Sequence, residues 1–351
     1  MTKDYTARVV LPDDLRPDEI EAWNAWCAAD AGLTTPFLSY RYISIAAETF
    51  ENVRVCVIER NGKPAGFLPF QYQSKFHELL GLAGRVSGEL NDYFGLIAPA
   101  GTMVTPDRLL RLSGLNALNF THLDDSQGAL GLTGSHPEPG LRVTIEDGAD
   151  AYWAERKRAD KRFVADTDRC ARKLAEAYGP VRFVFREPDP LPHLERLIAA
   201  KRDQYQRTGV ADALHDEAAQ AFLRRLALSD DPACSGVVST LSVGETWAAI
   251  HFGIIQGATL HYWFPVYNPE FRSYSPGRLL LKELIMAGEK GGIRRVDFGA
   301  GDTPAKRDFA NAQNIYRRGL WRRDSLGGLL IRASLSLRWR LDALAATRKA
   351  A

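Results

Sequence analysis

The sequence predicts an α/β protein of two domains with mixed central sheets, and three observations lead there. At 351 residues the chain exceeds what one hydrophobic core usually serves. Residues 246–306 read strand, strand, helix, strand, the pattern that lays a helix against a sheet. A short echo joins the halves: residues 55–70 and 237–252 each read strand, turn, strand. Aligning Gly62 with Gly244 sets KPAGFLPF against ETWAAIHF, which points to duplication. Composition is that of an ordinary globular protein, and a net charge of +2 gives no pull toward nucleic acid. Four widely spaced cysteines favour a reducing compartment over a disulfide framework or a zinc site. Residues 1–10 are polar and no apolar run would span a bilayer, so the expectation is a cytoplasmic protein.

Taken in order, a polar lead-in precedes a helix opening at Pro17, with Asp18 and Glu19 in its first turn and Trp23 and Trp26 beyond. Pro36 to Ser39 introduces a second helix running to about Thr49. A hairpin follows, residues 53–58 and 65–72 about an Asn61-Gly62 turn. A helix is expected near residues 106–112, short strands over 117–122 and 141–145, and a glycine- and proline-rich loop over 131–140. Residues 150–178 read as one long charged helix, 181–185 as a strand, 190–207 and 215–228 as helices, and 236–242 as a strand.

The chemistry gathers in residues 246–306. Residues 247–255 and 259–267 are β-rich runs about a Gln256-Gly257 turn. Ser275 suits an N-cap, Pro276 the first helical position, and Gly291-Gly292 the helix end. Residues 295–298 then read as a strand entering the turn Gly299-Ala300-Gly301. A helix start of this kind is an anion site, because free N–H groups and the positive dipole end converge at Ser275, Pro276 and Gly277. Arg272 and Arg278 flank it. A strand, an acid and a glycine turn, as in Asp297-Phe-Gly-Ala-Gly301, also hold S-adenosylmethionine in methyltransferases. That motif needs several strand–helix units after it, whereas only about fifty largely basic residues, read as helical, remain here.

Arg272-Ser-Tyr-Ser275-Pro-Gly277 resembles the Arg/Gln-x-x-Gly-x-Gly/Ala pyrophosphate loop of the GNAT acyltransferases, with serine for the first glycine. His251-Phe, His261-Tyr-Trp263, Tyr274-Ser-Pro-Gly277 and Asp297-Phe-Gly-x-Gly301 followed by Lys306 together resemble the CelD/BcsL acetyltransferase branch. That branch is associated with bacterial exopolysaccharide synthesis and is similar in fold to the FemAB aminoacyltransferases. The resemblance covers roughly residues 35–320. It implies tandem GNAT domains: a degenerate one over residues 1–150 and one with the acyl-CoA site over 151–320, followed by a basic amphipathic helix over 321–351. It further implies acetyl-CoA as donor, no metal, and an amine (less readily a hydroxyl) of a polysaccharide or lipid-linked sugar as acceptor. His251 would then serve as base, since an ammonium must lose a proton before it attacks a thioester. A backbone N–H of residues 248–252 would polarise the carbonyl, and Asp297 would orient His251 or the amine. Asp92, Tyr93, His261, Tyr262, Trp263 and Lys306 would contact the acceptor, the aromatics by packing on pyranose faces. Beside each role stands a structural one: a core histidine, a turn-stabilising aspartate, core aromatics, a surface lysine.

The basic residues of 155–173 are interleaved with acids and read as a solvated face, so no nucleic-acid partner is expected. In the tail, Leu326, Leu330, Leu337, Leu341 and Leu344 keep helical spacing among arginines. Such a helix suits packing on the domain or peripheral contact with an anionic membrane, and its arginines suit a cyclic dinucleotide. Two other functions fit the sequence: a FemAB-like enzyme drawing on aminoacyl-tRNA, and a catalytically silent regulator at the membrane surface.

Overall fold

The structure, a computed structural model, describes residues 5–323. The tail leucines, with their membrane and cyclic-dinucleotide readings, lie outside these residues. The first half runs β1 (Tyr5–Val10), α1 (Pro17–Ala29), α2 (Tyr40–Thr49), β2 (Val53–Arg60), β3 (Lys63–Gln71), α3 (Lys75–Leu79), β4 (Leu82–Ala83), α4 (Pro106–Leu112), β5 (Ala117–Asp124) and β6 (Ser135–Thr144). The second runs α5 (Ala149–Ala159), α6 (Lys161–Tyr178), β7 (Val181–Val184), α7 (Pro190–Thr208), α8 (Glu217–Ala227), β8 (Ser235–Val243), β9 (Thr246–Gln256), β10 (Thr259–Tyr267), α9 (Pro276–Gly288), β11 (Arg295–Ala300), α10 (Pro304–Arg307) and β12 (Ala312–Arg322).

Local chemistry explains most boundaries. The Ser39 and Thr105 hydroxyls accept the Tyr42 and Arg108 N–H groups and so cap α2 and α4. Asn61 and Gly62 both take positive φ, as the tight hairpin turn between β2 and β3 requires. In β2, Val53, Val55 and Val57 enter one core while Cys56 and Ile58 enter another, so the strand is buried on both faces. Each such side chain contributes about 1.5–3 kcal/mol. Trp23 anchors α1, donating its indole N–H to the Leu38 carbonyl at 2.8 Å and stacking on Phe67.

A mixed nine-stranded sheet, in the order β4-β5-β12-β6-β11-β10-β9-β8-β7, and a smaller β1-β2-β3 sheet carry the fold. The halves repeat one plan. In the second, β8–β9 and β9–β10 are antiparallel and β10–β11 parallel. In the first, β2–β3 is antiparallel, Phe67 bridges Ile97 antiparallel, and Phe94 bridges Leu123 of β5 in parallel. The halves then exchange their last strands: β6 pairs with β11, and β12 inserts between β5 and β6.

Four sequence expectations change. The helix expected over 150–178 is two, because Asp160 leaves helical geometry and its carboxylate accepts the Phe163 N–H at 2.8 Å, capping α6. Much of the expected loop 131–140 is the first part of β6. Pro137 and Pro139 are tolerated there because the β11 ladder begins only at Gly140, and the one bond on that edge before it, from the Gly301 N–H to the Pro139 carbonyl at 2.9 Å, asks nothing of a proline nitrogen. Residues 312–322 form a strand rather than helix, so Trp321 and Arg322 belong to β12 and not to the tail. Residues 5–10, read as a polar lead-in, pair with β2. No helix among the described residues is long and apolar enough to cross a membrane, and all four cysteines are buried and unpaired.

Candidate active site

β10 and β11 pair for three residues only, Thr259–Arg295, Leu260–Val296 and His261–Asp297. β10 bulges between His261 and Phe264, and beyond that point the strands part. A cleft of about 610 Å³ lies here, within the range typical of ligand sites. Tyr262, Trp263, Phe298 and Ala300 of the parting strands line it, with Asp92 from the first half, Gly277 from α9, Lys201 from α7 and Lys306 from α10. A second depression, of about 520 Å³, lies at the paired end of the same strands, by Ala258 and Arg295, and takes in none of the expected site residues.

Five polar side chains meet at the fork. His261 Nε2 is 2.9 Å from Asp92 Oδ2, and its Nδ1 lies 4.0 Å from Asp297 Oδ1. Tyr93 donates to Asp297 Oδ2, and its hydroxyl also meets that of Tyr316 from β12. Asp297 Oδ1 accepts the Gly299 N–H at 2.7 Å, the turn-stabilising bond. His261 is 1% exposed and Asp92 26%, so Asp92 is the member that meets the cleft. Burial opposes ionisation of Asp92, but the His261 hydrogen bond and the positive charge of His261, His122 and Arg85 prevail, taking its carboxyl to about 2. No group of three or more such side chains among the described residues is placed to hold a metal ion.

His251 is not at this fork. It is fully buried in β9, stacked on Tyr262 at 4.3 Å, and neither ring nitrogen finds a hydrogen-bond partner. Burial, with the neighbouring charge of His261, takes its pKa to about 3, so the ring is neutral and packs as an aromatic side chain. The expected base is therefore misplaced: a proton acceptor must reach the acceptor amine, and His251 does not line the cleft. Asp297 in turn serves His261 and the tyrosines rather than His251. His251→Leu is expected to keep turnover within a few-fold and leave the pH–rate profile unmoved, with equal or higher melting temperature, because both orphaned nitrogens go at once. A large loss of kcat with wild-type folding would return His251 to the mechanism.

β9 is hydrogen-bonded on both edges, so the expected carbonyl-polarising N–H of residues 248–252 is already spent in the sheet. N–H groups of β10 beyond His261, which lose β11 as a partner, are the ones free for that task. The helix start is leaner than expected. Ser275 sits in the left-handed region at φ 52° and makes no side-chain cap. Its carbonyl takes the Arg278 and Leu279 N–H groups, and Pro276 has none, leaving Gly277 as the donor of the first turn. A Cβ on Gly277 would find only Tyr267, at 4.0 Å, so a ligand can approach its backbone. Arg278 lines the cleft while paired with Asp166 at 2.8 Å, and Arg272 is exposed outside it.

Tyr262 and Trp263 do line the cleft, and Lys306 lines it with its ammonium 2.6 Å from the Ala300 carbonyl. Sequence reasoning missed Lys201, Gln204, His122 and Tyr316. Lys201 had a signal: it continues the stripe of Leu194, Leu197 and Ile198 at helical spacing, a cation on an apolar face. His122 had none, being fixed by a left-handed φ of 57° inside β5.

The profile of the family described as "Acetyltransferase (GNAT) domain" matches residues 161–307, which span α6 to α10. No curated protein matches the sequence. Among solved structures, FemX is similar at 10% identity, over 86% of this chain and 94% of that one, with TM-score 0.57. The C-terminal DUF2156 domain of a candidate lysylphosphatidylglycerol synthetase from Agrobacterium fabrum is similar at 9% identity, over 91% and 96%, with TM-score 0.51. A tandem GNAT protein from the clavulanic acid pathway is similar at 11% identity, over 89% and 97%, with TM-score 0.47. At these identities the likeness is one of fold. Residues 161–307 of this mixed α/β chain thus match an acetyltransferase (GNAT) domain, which marks the chain as an N-acyltransferase, and Asp92 and Tyr93 from outside the matched stretch complete its fork.

Proposed function

We propose that the chain transfers an acyl group from acyl-CoA, acetyl-CoA foremost, to an amine seated against Asp92. The observation that carries this is the fork itself: strands that part beside a carboxylate–histidine pair, with an open glycine at the start of α9. The anionic Asp92 holds the acceptor ammonium, and the Asp92–His261 pair receives its proton, His261 lying between two carboxylates that share the load. The amine then forms the new N–C bond as the C–S bond breaks, and CoA leaves as its thiol. Gly277 and the dipole of α9 would hold the pyrophosphate, with Arg272 close in sequence. Tyr262 and Trp263 suit the face of a sugar, and the likeness of the His261 and Asp297 motifs to the CelD/BcsL branch supports an acceptor in exopolysaccharide or glycolipid assembly.

A second reading, transfer from aminoacyl-tRNA, draws on one observation: Lys157, Arg158, Lys161, Arg162, Arg172 and Lys173 are all exposed on α5 and α6. Against it, α6 does not project but packs by Phe163, Leu174 and the Arg278–Asp166 and Lys282–Asp168 pairs. Calorimetric titration with acetyl-CoA, alongside native mass spectrometry of the purified protein, tests the choice. Micromolar acetyl-CoA binding, weakened at least tenfold in Gly277→Val, is the expected result. Failure to bind any CoA species while binding tRNA would transfer the assignment to the second reading.

A further inference from the structure

Lys201 is the cation of the cleft without a counter-charge. Its ammonium donates to the Pro265 carbonyl at 3.2 Å and lies 5.5 Å from the Tyr205 ring centroid. No carboxylate among the described residues pairs with it. The other cations are answered: Arg278 by Asp166, and Lys306 by the Ala300 carbonyl and the nearby charges of Asp92 and Asp297. An ammonium carries three donors, and Lys201 spends one on a protein oxygen. Along its own helix face Leu194, Leu197 and Ile198 fill the core, so an apolar residue would have served packing better at this position. Burial draws its pKa down to about 8, yet the group stays largely protonated at neutral pH. At the other end of the charge pattern stands Asp92, an anion lining the same cleft.

Resting on the acyltransferase reading above, we propose that Lys201 binds an anionic group of the acceptor, so that the acceptor is an amine that also carries a phosphate or a carboxylate. Its ammonium meets Asp92, and its anion meets the unused donors of Lys201. The cleft thereby selects a zwitterionic amine over a plain one.

Two pairs of amines test this, each differing by one anionic group: glucosamine against glucosamine 6-phosphate, and cadaverine against lysine. Wild-type kcat/KM with acetyl-CoA is expected to favour the charged member of one pair by about 10–100-fold, that pair identifying the anion. In Lys201→Met the ratio falls to about one, and in Lys201→Arg it recovers in part. Folding is not at risk, since the methionine removes a half-buried charge that has no counter-ion and should raise the melting temperature. Equal use of both members by the wild type, or an unchanged ratio in Lys201→Met, overturns the proposal. A second readout is independent of turnover. Labelling of Lys201 by an amine reagent at pH 8 should slow at least fivefold with a charged amine and not with its neutral mate; equal labelling in both overturns it likewise. Protection of Lys201 without acyl transfer would sink the acyltransferase reading alone.

Discussion

Turnover is expected to fall by roughly 10²–10⁴-fold in Asp92→Asn and in His261→Gln, with acyl-CoA affinity held. Asparagine keeps the shape of Asp92 and a partner for His261 Nε2 but loses the charge proposed to hold an ammonium in the cleft. Glutamine at 261 can still donate to Asp92 but cannot carry a proton between two carboxylates. The double variant should cost little more than either single one, as for groups acting as a unit. Steady-state kinetics beside calorimetry checks this, and additive losses would mean that the two side chains act separately. The pH dependence adds a sign. Asp92 titrates at about 2 when folded, below the ordinary carboxylate, so its contribution to stability is complete above about pH 4 and drains as pH falls toward 2. Asp92→Asn should lose on the order of 1–2 kcal/mol at pH 7 and little at pH 2.

Gly253→Ala is expected to destabilise the protein by about 3 kcal/mol or more and to abolish turnover in whatever fraction folds. A Cβ at this position would stand 2.4 Å from the carbonyl oxygen of His261 and 2.7 Å from the His251 ring. The first obstacle is backbone held in the middle of the nine-stranded sheet, so β9 and β10 must separate to relieve it. The second is a fully buried ring with nowhere to swing. His251 and Gly253 are two residues apart on one face of β9, and the large ring occupies the room the glycine leaves. Pairing Gly253→Ala with His251→Ala should therefore recover only part of the loss, because the carbonyl clash persists. Chemical denaturation measures it, and a loss below 1 kcal/mol would show that the sheet yields more readily than close packing allows.

These two sites mark where the sequence could be read and where it could not. Elements whose signals are local were legible: the Asn61-Gly62 hairpin, the helix over residues 106–112, and the run from β9 through β11. β12 was hidden because Tyr316 and Trp321, both buried, are five apart, and the bulge between Arg317 and Gly319 breaks the two-residue alternation. Gly140 is explained only by that strand, since a Cβ there would fall 2.2 Å from the Tyr316 ring. The histidine choice failed for a similar reason. His251 and His261 stand in equally apolar surroundings in the sequence, and only the third dimension brings Asp92 across 169 positions to His261. Asp92, Tyr262, Trp263 and Lys306 line the cleft and Tyr93 lies behind it on Asp297, because the parting of two strands gathers whatever lies at their ends.

The exchanged strand also sets a schedule for biogenesis. The slot between β5 and β6 is filled by β12, whose first residue follows the last of β5 by about 190 positions. At common ribosomal speeds that interval lasts roughly 10–40 s, during which the early strands keep hydrogen-bonding edges bare or pair with each other provisionally. Native order then waits on the carboxyl-terminal arrival of Tyr316, the same side chain whose hydroxyl meets Tyr93. A nascent polypeptide stalled before residue 312 would thus hold both carboxylates of the fork and yet lack the wedge that draws them together.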